Sequence, residues 1–239
     1  LNAKLKEATE AGDNEQCAKL TADIEATQKR ILKPIIGCEM YVAEKSLYEH
    51  VDKKDTGRHL IVLAKNEKGY HNLIKIVSQA WTEGFYSHPR TDKEQIAAHR
   101  EGLIICSACL GGEIPRLLRR GDTEGADRAV KWWKDTFGED YYIELQRHKA
   151  TKVNANHTTY EEQMRIESQL IALARKYDIK IIASNDVHFT NEDDSEAHDR
   201  LICLATNRLL NDPERMLYTK QEWMKTQEEM NGVFGDLPE

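Results

Sequence analysis

No apolar run in this sequence approaches the length of a membrane span; the longest, around residues 60–64, is the size of a strand. The opening LNAKLKEATEAGDNEQ has neither the basic flank nor the apolar segment of a secretory leader. It also lacks an initiator Met, so the chain is expected to begin inside a longer protein. Cysteine is scarce and odd in number: Cys17, Cys38, Cys106, Cys109 and Cys203. That excludes a secreted disulfide framework and points to a reducing, cytoplasmic setting. Cys106 and Cys109 form one C-x-x-C with no second elsewhere, which argues against a four-cysteine zinc site. Neither G-x-G-x-x-G nor G-x-x-x-x-G-K-[ST] occurs, so no dinucleotide or P-loop reading is supported. Clustered cations are missing as well. The formal net charge is -7, and basic residues come only in local pairs such as Arg119-Arg120. Binding to a nucleic-acid backbone rests on clustered Lys and Arg, so the chain alone is not expected to bind DNA strongly.

What remains is an ordinary globular composition, 40% hydrophobic and 31% charged, with enough apolar residues for a core. Residues 1–32 differ from the rest. Two helix-forming stretches flank the turn signal GDN, and Leu20, Ile24 and Ile31 make one thin apolar stripe, which predicts a peripheral helical hairpin. From Lys33 onward strands and helices alternate. KPIIGCEMYVAE, RHLIVLAKN, GLIICSA, DYYIELQRH and IKIIASNDVHF read as strands. EKGYHNLIKIVSQAW, with helical spacing at Leu73, Ile74, Val77 and Trp81, reads as a helix. So do TEGADRAVKWWKDTFG, TYEEQMRIESQLIALARKYD and DDSEAHDRLICLATN. The alternation predicts an α/β fold on a mostly parallel sheet with helical crossovers. The closing NDPERMLYTKQEWMKTQEEMNGVFGDLPE is more polar and reads as a connection to something further along.

Polar residues gather where the strands end. Glu39 follows PIIGC, Cys109 follows LIICSA, Gln146 and His148 follow YYIEL, and Asp186 and His188 follow IIASN. In parallel barrels and open α/β sheets that rim carries the active site, and Glu, Cys, Asp and His are transition-metal ligands. The run before Asp186 reads as a buried parallel strand, and Asp186 and His188, two apart at its exit, are expected to point the same way because side chains alternate along a strand. Each residue has a plainer reading. Asp186 could cap a turn, His188 could be a satisfied donor, and a free Cys109 could be a small buried hydrophobe. Glu39 in an otherwise apolar strand is harder to dismiss, because a buried carboxylate needs a partner. His59 opens its strand and reaches the rim only if that strand runs antiparallel to CEMYVA. His50, His71, His88, His99, His157 and His198 sit in helical or loop contexts and read as solvated or satisfied. Trp132 and Trp133 read as core or interface residues of a helix.

Together LKPIIGCEMYV, HLIVLAKNEKGYHNLIKIVSQAWTEGFY, GLIICSACLGGEIPRLL, YYIELQRH and IIASNDVHF with the EDDSEAHDRLICLAT that follows resemble the polymerase-and-histidinol-phosphatase (PHP) domain that opens bacterial DNA polymerase III alpha subunits. The resemblance runs from Leu32 to about Leu217. It implies a distorted β/α barrel of the PHP type with a cluster of divalent ions (zinc, manganese or iron) at its rim. The ligands it carries over are Glu39, His59, Cys109, Asp186 and His188. It implies three parts: residues 1–32 as a helical insertion, 33–217 as a partial PHP domain, and 218–239 as a connection toward a polymerase core.

The family's opening H-x-H and its T-D-H are not found here. The resemblance places them before Leu1, so the barrel's first strands and part of the ligand set are expected outside this chain. The metal is then expected to bind more weakly, or to leave the site unfilled. The polymerase carboxylates would follow Glu239, so the chain is not expected to extend a primer. The implied partners are the rest of an alpha subunit, a proofreading exonuclease subunit, and DNA held through other domains. The implied function is DNA replication, with a metal-dependent phosphodiesterase or 3'-5' exonuclease site in the intact protein. The alternatives are a non-catalytic platform for subunit docking and a free-standing small-molecule phosphoesterase.

Overall fold

A computed structural model describes residues 1–28, 33–49 and 56–237. The chain divides into two units, Leu1–Ile35 and Ile36–Glu239. The first holds the expected hairpin, α1 (Asn2–Glu10) and α2 (Asn14–Gln28). Its turn works through Gly12, at φ +72, and through Asp13, whose carboxylate accepts from the Gln16 N–H at 3.0 Å. Leu20 is buried there and Ile24 half-buried, whereas Ile31, and His50 of the second unit, lie outside the described residues.

The second unit is built on a sheet from β1 (Gly37–Val42), β2 (Arg58–Ala64), β3 (Phe85–Tyr86), β4 (His88–Thr91), β5 (Leu103–Cys106), β6 (Tyr141–Leu145) and β7 (Lys180–Ala183). Among the described residues the strand order is β3-β4-β1-β2-β5-β6-β7. The helices are α3 (Glu67–Thr82), α4 (Lys93–Ala98), α5 (Glu113–Arg119), α6 (Thr123–Phe137), α7 (Thr158–Lys176), α8 (Ser195–Thr206) and α9 (Gln227–Phe234). The α/β architecture is as expected. The sheet, however, is not mostly parallel: β1 to β2, β2 to β5 and β3 to β4 are antiparallel, while β4 to β1, β5 to β6 and β6 to β7 are parallel. Long helices connect β5 to β6 and β6 to β7, and such crossovers permit parallel pairing. Chain 43–57 joins β1 to β2, and β2 returns alongside β1 in reverse.

Alternation along the strands sorts the side chains. In β1 and β2 the even positions Met40, Val42, Leu60 and Val62 face the core. They meet Ile105, Ile143 and the apolar faces of α3, α6 and α7, with Trp133 at 1% exposure among them. The buried face of α3 is Leu73, Ile76 and Ala80, while Ile74 and Trp81 turn outward and Trp81 stacks on Phe85. Trp133 is a core residue, and its indole donates to Glu113 at 2.9 Å.

β7 departs from the expectation of a buried strand. Its pattern is exposed, half-buried, half-buried, exposed, because it lies at the end of the strand order with one neighbour. It stops at Ala183, and Asp186 takes φ +44, so the two-residue alternation does not carry through to His188. No described helix is long and apolar enough to cross a membrane.

Candidate metal centre

The strand directions make one rim. The carboxyl ends of β1, β5, β6 and β7 lie beside the amino end of β2, since β2 runs against both β1 and β5. This is how His59 reaches the rim. Tyr41 pairs with His59 and Glu39 with Ile61, so the odd residues of β1 and β2 share the face turned away from the core. Glu39 Oε1 lies 2.8 Å from His59 Nδ1. Glu39 is not the buried carboxylate expected from its apolar strand: its side chain keeps 41% of its exposure.

The third member comes from the loop after β5. Ala108 takes φ +63 there, its N–H donates to Glu144 Oε2 at 3.0 Å, and the His59 N–H donates to Gly111 O at 3.1 Å. The loop thereby folds back across the head of β2 and sets Cys109 Sγ 3.4 Å from His59 Nδ1. Gly111 makes this approach possible. A Cβ at residue 111 would stand 2.8 Å from His59 Nδ1, closer than real Cβ contacts. Gly111→Ala is expected to cost about 1–3 kcal/mol through overpacking, read as a shift in the denaturant midpoint. An unchanged midpoint would mean the loop is free to move away.

Glu39, His59 and Cys109 thus bring a carboxylate oxygen, an imidazole nitrogen and a thiol sulfur within 4.8 Å of one another, a group that can hold a metal ion. Cys109 first and Glu39 second raise the His59 pKa to about 10, and the bond from His59 holds Glu39 below the usual carboxylate range. The other half of the C-x-x-C is different: burial pushes the Cys106 thiol up to about 12, leaving it inert.

In the metal-free chain the pH dependence follows from these directions. A raised His59 pKa contributes stability that is complete below its unfolded value of 6.5 and is lost as pH rises toward about 10. The lowered Glu39 pKa contributes stability above its unfolded 4.5, lost as pH falls through the folded value. The melting temperature in chelator is therefore expected to decline between pH 6.5 and 10, and His59→Gln to flatten that decline. An equal decline in the variant would assign it to other groups.

Asp186 and His188 are not in the three-residue group. Asp186 shares a cavity of about 580 Å³ with Cys109, Gln146, His148, Tyr218 and Glu222, and burial raises its pKa. His188 has both ring nitrogens engaged, Nδ1 with Asp186 O at 2.6 Å and Nε2 with the Tyr218 hydroxyl at 3.2 Å. His148 is buried between Gln163 and Asn185 O, and burial lowers its pKa.

Three participants escaped the sequence reading. Glu144 is a buried carboxylate that takes bonds from Ser184, Gln146 and Ala108, with its pKa raised by burial. An acidic residue inside the apolar YYIEL was the signal for it. Tyr218 and Glu222 gave no such signal, because the segment they occupy looks like a polar connection. That segment is instead packed down: Thr219, Lys220 and Glu222 are buried, and Glu222 O accepts from the His188 N–H.

The PHP domain family matches residues 6–148, more than half of the chain. This chain belongs to the PHP domain family. Its α/β sheet, its helices and its helical hairpin accord with the distorted β/α barrel of that family. The family match starts within α1, so most of the hairpin lies inside it, and it ends before Asp186. The PHP chain is also similar to the DNA polymerase III subunit alpha of Borreliella burgdorferi, 40% identical over 89% of this chain and 18% of that protein. The corresponding subunit of Treponema pallidum is 39% identical over 87% of the chain and 17% of its own length. That of Thermus aquaticus is 37% identical over 87% and 16%. The PHP chain therefore spans less than a fifth of these relatives.

Proposed function

We propose that this PHP chain is part of a replicative DNA polymerase III alpha subunit and that its rim holds a divalent metal, zinc, manganese or iron, for phosphodiester hydrolysis. The observation carrying this reading is the convergence of Glu39, His59 and Cys109 in a chain similar to alpha subunits along most of its length. These three residues would hold the ion. When bound, it supplies Lewis-acid polarisation of a phosphodiester and acidifies a water nucleophile. The chain's own contribution is positioning. Glu39 and the loop backbone orient His59, and the β5 loop, anchored on Glu144, carries Cys109 to it. Asp186, facing the same cavity as Cys109, would act as a further ligand or as a base, and His188 would follow it once released from Tyr218.

In this reading residues 1–32 are an insertion, 33–217 a partial PHP domain, and 218–239 a connection toward a polymerase core, with its Tyr218 and Glu222 in the cavity lining. The partners would be the rest of the alpha subunit and a proofreading exonuclease subunit, in the cytoplasm. A second reading, a platform without catalysis, is favoured by the engagement of both His188 nitrogens and by the absence of Asp186 and His188 from the three-residue group.

Metal content and 3'-5' hydrolysis of labelled single-stranded DNA, measured on chain purified without chelator, separate the two. Stoichiometric metal with chelator-sensitive hydrolysis supports the nuclease. Metal without hydrolysis supports the platform, and no metal sinks the rim site.

A further inference from the structure

The sequence shows only a basic pair at Arg119-Arg120, but the fold gathers more. Arg116, Arg119 and Arg120 from α5 and the residue after it meet Arg165 from α7 around one pocket of about 450 Å³ with Glu162 as its single acid. Glu162 already serves two of them, accepting from Arg119 at 2.6 Å and from Arg165 at 2.8 Å. The guanidinium groups of Arg116 and Arg120 have no hydrogen-bond or ion-pair partner among the described residues. A helix dipole accounts for a cation or two in the last turn of α5. It does not account for four guanidinium groups gathered around a pocket with one carboxylate, which pairs with only two of them.

Arg116 and Arg120 also line a second cleft, together with Arg58, Lys93 and His59. There Arg58 is paired with Glu44 and Lys93 with Glu113, each at 2.7 Å, so the uncommitted charge is again that of Arg116 and Arg120. Burial first, and then the neighbouring Arg58 and Arg120, push the Arg116 pKa down. The two cavities share Arg116 and Arg120, which gives an arginine-lined path from Arg165 to a cleft that has His59, though neither Glu39 nor Cys109, in its lining.

We infer that this path binds the phosphate backbone of a single-stranded nucleic acid and leads it to the Glu39, His59 and Cys109 group. A ligand with repeated anionic groups suits a path with several cations better than an isolated phosphate does. The direction toward a phosphodiester substrate rests on the function proposed above. The basic surface is local, so it is compatible with an overall charge of -7, and it adds a nucleic-acid surface that the sequence assigned to other domains.

The test is fluorescence anisotropy of a short oligothymidylate with the full chain, in chelator, across a salt series. The wild type is expected to bind with affinity that falls as salt rises. Arg116→Gln with Arg120→Gln should weaken binding on the order of tenfold and reduce the salt slope by roughly 0.7 for each phosphate no longer neutralised. Arg120→Gln alone, at an exposed position, should give a partial loss and guards against misfolding of the double variant. No binding at low salt, or equal binding by wild type and variants, overturns the inference. So does equally effective displacement by polyglutamate, which would make the path a protein-docking surface, or by pyrophosphate, which would make it a small-phosphate pocket. Because chelator is present and only binding is read, this result is independent of metal content, which tests the rim site.

Discussion

His59→Ala is expected to weaken divalent-metal binding by about 100-fold or more, measured by competition with a chromophoric chelator. His59 is the hub of its group: its Nδ1 is the atom approached by both Glu39 Oε1 and Cys109 Sγ. Loss of even an outer partner of a metal ligand costs about 10–100-fold, and a central donor should cost at least the upper end of that range. With His59 gone, the partly exposed Glu39 carboxylate turns to water and cannot hold an ion with one thiol. Cys109→Ser should fall in the same direction, since a hydroxyl is a poor substitute for a thiolate toward zinc or iron. Asp186→Ala with His188→Ala distinguishes two arrangements. If those residues complete the site, the double variant also loses metal; if the three-residue group suffices for one ion, its affinity is retained. Unchanged affinity in His59→Ala would remove the rim group from consideration.

Arg147→Ala is expected to destabilise the fold by about 3–5 kcal/mol, the range for removing one partner of a buried ion pair. Arg147 sits at the end of β6 with its side chain 8% exposed, and it grips Glu167 of α7 with two bonds of 2.7 Å. Its remaining donors reach Val233 O at 3.0 Å and Asp236, and its guanidinium lies over the Phe234 ring. One side chain therefore ties strand, helix and C-terminal segment together. Truncation leaves Glu167 buried and unpaired, and it frees α9. Arg147→Lys should recover little, because an ammonium cannot form the two-pronged bond. Arg147→Ala with Glu167→Ala should cost less than the sum of the singles, since neither charge is then stranded. The readouts are the denaturant midpoint and protease sensitivity of residues 225–237. A loss below about 1 kcal/mol would mean that the pair is solvent-screened in solution.

The outward-facing parts of the architecture were legible because they depend on local pattern. The apolar spacing of α6 and α7 identified those helices, and the short apolar runs identified five strands. The odd, scattered cysteines excluded a disulfide framework, and the block of motifs named the family. The rim residues were legible for the same reason: a polar side chain just past an apolar strand is a local signal. Where the reading failed, a neighbour in space decided. In α3 the spacing alone gave Ile74 and Trp81 the same standing as Leu73, but the sheet touches only the Leu73, Ile76 and Ala80 face.

By itself, then, the sequence determined five of the strands, the longer helices, the family and which polar side chains follow the strand ends, since periodicity, turn residues and side-chain identity are properties of neighbouring positions. Only the tertiary structure decided that β2 runs antiparallel and so delivers His59, that the φ of Asp186 breaks the alternation toward His188, that Tyr218 and Glu222 join the cavity lining, and that four arginines converge. Each of these sets groups far apart in the chain beside one another. Strand direction, burial and uncompensated charge belong to the packed arrangement, and no window of the sequence contains them.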